Sequence, residues 1–184
     1  MPVQTAIACV FLGLAFSAGA GQSAAQKALP RIPNPEALAI EMAKALVAGD
    51  RERFTALAAT REEMEELLTT AQPPGNARER QELKTKVAEI VAERREDFDR
   101  FQAMKKASGF KEGAAVRFEL IDLDPLYEKD GMKKVRHSRV RMLQPTQGGK
   151  EESFLISLDD MFLFPRGWAF TSVTPGIGKE PPKK

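Results

Sequence analysis

The sequence predicts an α+β fold, in which N-terminal helices, including one long helix, pack on a C-terminal antiparallel β-meander of about four strands. Two patterns support this prediction. From residue 34 to residue 108, apolar residues recur every three or four positions, which is the period of a helix. Beyond residue 114 they alternate with polar residues, which is the period of a strand with one buried face.

The first 20 residues are predicted to be a signal peptide. No charged side chain precedes Lys27, and residues 6–16 form an apolar run too short to span a bilayer stably. Ala18 and Ala20 then give the small-residue pattern of a cleavage site, with a non-cleaved anchor as the alternative. We therefore expect a periplasmic or secreted protein without a stable membrane span after cleavage.

Composition limits the classes of function. Cleavage would remove Cys9, the only cysteine, and with it any disulfide, cysteine zinc site or cysteine nucleophile. The net charge is only +2, so bulk electrostatics predicts neither nucleic acid nor an anionic membrane as a partner.

The chain after the signal peptide is long enough for one domain with its own core, but not for two. Residues 34–174 are predicted to form this single α+β domain. Residues 21–33 contain small residues and prolines and are predicted to be a linker. Residues 175–184, rich in Gly, Pro and Lys, are predicted to be a disordered tail.

Three short helices are predicted from their start and stop signals. The first begins after Asn34, whose side chain can accept from free backbone N–H groups, and ends at Gly49. Asp50 can cap a second helix. Thr60 with Glu63 forms a capping box for a third.

The fourth helix is predicted to run about eight turns, from Asn76 to just before Gly109. Seven apolar residues fall on one of its faces, which we expect to lie against the sheet: Leu83, Val87, Ile90, Val91, Phe98, Phe101 and Met104. Arg94 lies within this stripe. It is expected to extend to water at the edge of the contact, with a buried anion-binding role as the alternative.

Four strands are predicted from alternation: residues 116–120, 133–143, 153–164 and 168–173. Their short connections imply antiparallel neighbours. The acidic stretch DLDPLYEKDG between the first two strands matches no calcium-binding loop and is predicted to be a solvated connection.

A dense basic cluster follows this connection: Lys133, Lys134, Arg136, His137, Arg139 and Arg141. One interpretation is a hairpin whose basic residues lie opposite acidic ones, namely Glu119, Glu128, Glu151 and Glu152. The other is a groove for a carboxylate, phosphate or acidic polymer. In that case Arg139, Arg141, His137 and Trp168 are the candidate binding residues, although Trp168 also suits an anchor between the last strand and the long helix.

No sequence motif indicates catalysis, and no cofactor or metal site is predicted. A nucleophile elbow, P-loop, dinucleotide fingerprint, HExxH and EF-hand loop are all missing from the sequence. The one candidate catalytic set is an acid–base pair of His137 and Asp122 across neighbouring strands.

The segment 43–57 (AKALVAGDRERFTAL), an apolar helix that ends at Gly-Asp before a second short helix, resembles the opening of NTF2-like (SnoaL-like) domains. The later long helix and meander, closing on a strand at Trp168, are similar to that cystatin-like fold over residues 34–173. The resemblance implies a curved sheet wrapped on helices around a pocket, a scaffold of isomerases, hydrolases and binding modules. The Tyr-Asp pair of its isomerases cannot be placed, since Tyr127 falls in a predicted loop.

The leading hypothesis is an exported, non-enzymatic domain that binds a small anionic ligand or another envelope protein. One alternative is an NTF2-like pocket enzyme with His137 or Asp122 as base. The other is a structural component of an envelope assembly, suggested by the long charged helix.

Overall fold

The computed structural model describes residues 32–113, 115–129, 131–146 and 149–181. The predicted signal peptide and most of the predicted linker lie outside the described residues. Within them the elements follow in this order: α1 (Pro35–Ala48), α2 (Arg51–Ala56), α3 (Arg61–Ala71), α4 (Ala77–Ala107), β1 (Arg117–Leu123), β2 (Tyr127–Lys129), β3 (Met132–Pro145), β4 (Glu151–Phe164), β5 (Gly167–Phe170) and β6 (Gly176–Lys179). None of these helices has the length and apolar character needed to cross a bilayer.

Side-chain caps define the helix starts as predicted. Asn34 Oδ1 accepts from the Ala37 N–H at 2.8 Å, and Gly49 ends α1 with a left-handed φ of 69°. Thr60 and Glu63 form the reciprocal capping box of α3. The local sequence therefore fixes where the helices begin, before any tertiary packing.

The six strands form one open antiparallel sheet in the order β1-β3-β4-β5, with β2 paired to β3 and β6 paired to β4. β4 is the long central strand, and β6 and β5 lie in succession along one of its sides. Asp160, with a φ of 47°, lies between these two pairings. Aspartate tolerates this left-handed conformation better than most residues.

Three predictions about local structure need correction. Residues 176–179 form β6 and pair with β4, so this part of the predicted disordered tail belongs to the sheet. Ile32, inside the predicted linker, accepts from the Trp168 N–H at 2.9 Å, so the fold includes it. Tyr127, predicted to lie in a loop, belongs to the short strand β2.

The main core lies between α1 and one face of the sheet. From α1, Leu38, Met42 and Leu46 are fully buried. They belong to one cluster with alternate residues of two central strands, Val140 and Met142 from β3 and Phe154, Ile156 and Leu158 from β4. Because alternate residues of a strand point to opposite faces, the intervening side chains lie on the outer face of the sheet.

The long helix α4 contacts α1, α3 and the edge of the sheet formed by β6. Its apolar residues belong to two separate clusters. Val87, in its first half, belongs to a second cluster, whereas Phe98 and Phe101 belong to the main core. Of the predicted apolar stripe, Val91 lies between these contacts and stays 37% exposed.

Arg94 fixes α4 at the point where the helix passes from one cluster to the other. The side chain is buried rather than extended to water, so that expectation is wrong. Its Nε donates to the Thr171 carbonyl and its Nη1 to the Ala59 carbonyl, each at 2.8 Å. The guanidinium also lies over the Phe170 ring, 5.8 Å from the centroid. Arg94 thereby connects the α2–α3 junction to the end of β5.

Replacing Arg94 with Met should lower the free energy of unfolding by about 3 kcal/mol, because two buried carbonyls lose charged donors. Arg95→Met, one position along on the exposed face, is the matched control and should change stability by less than about 0.5 kcal/mol. Urea denaturation measures both values. Equal effects of the two substitutions would show that the buried arginine does not hold the helix.

Candidate functional site

Three of the predicted binding residues form one row on the outer face of β3. His137, Arg139 and Arg141 alternate with Ser138 and Val140, which are buried. The outer face of this part of the sheet is therefore polar, and the basic side chains project away from the core as the alternation predicts.

Each of these basic residues has an acidic partner on a neighbouring strand or in the chain just after β6. Arg139 forms an ion pair with Asp122, its register partner on β1. His137 Nδ1 lies 2.6 Å from Oδ1 of Asp159, its register partner on β4. Two of the acids predicted to lie opposite the cluster also contribute, since Glu128 is 3.4 Å from Lys133 and Glu119 is 3.9 Å from Arg141.

The ion pairs shift the protonation equilibria of their members. The hydrogen bond and charge of Asp159 raise the pKa of His137 above its ordinary value. The hydrogen bond from Arg139 lowers the pKa of Asp122. Both effects favour the charged forms, so the outer face carries fixed charges of both signs rather than a positive field.

An open groove of about 1030 Å³ lies on this face around Arg141. Four basic and four acidic residues line it: Arg117, Arg141, Lys150, Lys179, Glu119, Glu151, Glu152 and Glu180. Leu143 and Pro181 add apolar surface. The lining is therefore balanced in charge, and any anion that enters has to compete with the internal acids.

Glu180, from the segment after β6, lines this groove and contacts Arg141. Its carboxylate accepts from Arg141 Nε at 2.7 Å and from Arg141 Nη2 at 3.2 Å, a two-point contact with the guanidinium plane. The Ser153 hydroxyl donates to the same carboxylate, and the Glu180 N–H donates to the Ser153 carbonyl at 2.8 Å. Arg141 is only 18% exposed as a result.

The sequence did not indicate Ser153 or Glu180 as site residues. Glu180 falls in the stretch predicted to be disordered, and its position follows from the pairing of β6 with β4, residues that are distant along the chain. The composition of residues 175–184 does not indicate that this segment pairs with β4.

Trp168 does not belong to the groove. It is 5% exposed, lies in the main core cluster and holds Ile32 through its backbone N–H. Its large apolar ring anchors β5, which is the structural role considered for it from the sequence. Its position supports this structural role, and its candidacy as a binding residue stays a prediction.

His137 and Asp122 are paired with other residues and not with each other. Their side chains are 65% and 47% exposed, and each is held by a different partner, Asp159 and Arg139. Neither lines the groove around Arg141. Within the described ranges, no three His, Cys, Asp or Glu side chains converge as a metal site would require.

The raised pKa of His137 can be measured directly by proton NMR, because the chain contains one histidine. The titration midpoint should lie above about 6.5, and Asp159→Asn should move it downwards. The pair therefore stabilises the fold below the ordinary histidine pKa, and this contribution is lost as the pH rises through the raised value. Glu128→Gln, a nearby acid paired with Lys133, is the control and should leave the midpoint in place. A midpoint unaffected by Asp159→Asn would contradict the ion pair.

Comparison with known proteins assigns no family to the chain. No protein-family model, curated protein or solved structure matches the chain. The NTF2-like resemblance therefore stays a prediction, and function has to be inferred from the residues of the outer face.

Proposed function

We propose that the protein is an exported, non-enzymatic binding domain that recognises a carboxylate of its ligand in the groove around Arg141. The observation that carries this proposal is the position of Glu180. An internal carboxylate, presented on extended backbone, already makes a two-point contact with Arg141 and accepts from Ser153. Arg141 and Ser153 thus offer the donors that a ligand carboxylate needs, and the Glu180 carboxylate shows that these donors can bind one carboxylate together.

The chemistry of the groove favours a carboxylate over a simple cation or an apolar ligand. The planar guanidinium of Arg141 offers two parallel donors, which match the two oxygens of a carboxylate. The Ser153 hydroxyl adds a third donor to the same position. Leu143 and Pro181 in the lining can contact an apolar part of the ligand.

Binding is favoured over catalysis because the candidate base residues are held in surface ion pairs. A general base has to reach a proton of a bound substrate, and His137 and Asp122 lie outside the groove lining.

A structural role in an envelope assembly has different support, the exposed Ile121, Leu126 and Tyr127 at the β1–β2 edge. Self-association of the protein at micromolar concentration would favour that role.

Removing the internal competitor should increase ligand affinity. In Glu180→Gln, binding of N-acetylglutamate should be at least about tenfold tighter than in the unaltered chain, which corresponds to about 1.4 kcal/mol. Adding Arg141→Gln to this variant should abolish the gain. Isothermal titration calorimetry measures the affinity of all three chains, and in the single variant an NMR titration of the Arg141 side-chain Nε–H reports whether the ligand contacts this residue.

The matched control is Glu152→Gln, which removes another groove carboxylate, the partner of Lys179 at 2.7 Å, and leaves the Arg141 contact intact. It should not produce the gain. If Glu180→Gln binds no more tightly than the unaltered chain, or if N-acetylglutaminamide, which has no carboxylate, binds as well as N-acetylglutamate, carboxylate recognition at Arg141 is excluded.

A further inference from the structure

A second cavity lies at the C-terminal end of α1, between the last turns of α1 and α4, the segment that follows α4, and the start of β1. Its volume is about 560 Å³, within the range of about 300–1000 Å³ that small-molecule sites have. Its apolar lining comes from Val47, Phe110, Val116 and Phe118. None of its lining residues belongs to the groove around Arg141, so the two sites are separate.

Lys105 is the cation of this cavity, and its residue is 5% exposed. Its ammonium donates to the Val47 carbonyl at 3.0 Å and lies 5.7 Å from the centre of the Phe110 ring. The nearest carboxylate is Glu112, at 3.2 Å. A buried ammonium is costly without a negative partner, so this position requires an anion.

A ligand carboxylate can replace Glu112 as the partner of Lys105. The Glu112 side chain is 80% exposed, whereas that of Lys105 is 6% exposed, so the carboxylate reaches the cavity from solvent. Holding the exposed Glu112 side chain against Lys105 costs side-chain entropy, and water competes for its carboxylate. The carboxylate of a ligand can take the same place while its apolar part contacts the cavity walls.

We propose that this cavity binds an amphiphile with one carboxylate, whose head group replaces Glu112 at Lys105 and whose apolar part lies against Phe110, Val116 and Phe118. Lys44 also lines the cavity, but its ammonium is already paired with Glu41 at 2.7 Å, so Lys105 is the cation that the head group contacts. This inference is independent of the proposed role of the groove around Arg141.

Octanoate is the probe, with octanol as its uncharged equivalent, and isothermal titration calorimetry measures the affinity for the full chain. Octanoate should bind at least tenfold more tightly than octanol. Glu112→Gln should increase octanoate affinity several-fold, because it removes the internal competitor from an exposed position. Ala48→Trp, which introduces a large ring from an exposed lining position, should abolish binding without lowering the melting temperature.

Lys105→Met should abolish the preference for octanoate over octanol. This variant also removes the donor to the Val47 carbonyl, so a loss of folding would not by itself support the proposal. The Glu112→Gln measurement does not have this difficulty, because an increase in affinity cannot result from unfolding. If Glu112→Gln leaves octanoate affinity unchanged, or if octanol binds equally well, Lys105 serves only to cap α1 and the proposal is wrong. Glu180→Gln should leave octanoate binding unchanged, which separates this site from the groove.

Discussion

The alternation of β3 and β4 between an apolar face and a charged face is the constraint on which the structure depends. Val140 and Ile156 point into the core under α1, whereas Arg139 and Ser157, their neighbours along the chain, point outwards. A shift of one residue in the pairing of these strands would place arginine in the core. The register is therefore strongly determined, and with it the position of every residue on the outer face.

The register places several charges on the outer face of the sheet, where they pair with one another across the strands. Arg139 and His137 have acids directly opposite them, and Arg141 receives Glu180 from the segment after β6. Surface pairs of this kind contribute little stability individually. In the proposed function they set the specificity, since the ligand would have to offer a better arrangement than the internal acid that it displaces.

Local patterns were enough to predict the fold class and the helix starts, since caps such as Asn34 and Thr60 act over three or four residues. They also placed the basic residues of β3 on strand positions. They did not predict β6, because Gly176 and Gly178 have little intrinsic strand preference and the strand is formed by pairing with β4. For the same reason the contact of Glu180 with Arg141 had no local signal.

Thiol labelling of two adjacent positions tests this two-faced sheet most directly. In a chain that carries Cys9→Ser, Arg139→Cys should react with a maleimide within seconds to minutes, as an exposed thiol does. Val140→Cys should react only at the rate of unfolding, because Val140 is fully buried in the main core. Similar labelling rates at the two positions in the folded protein would contradict the assignment of inner and outer faces, and with it the placement of the groove.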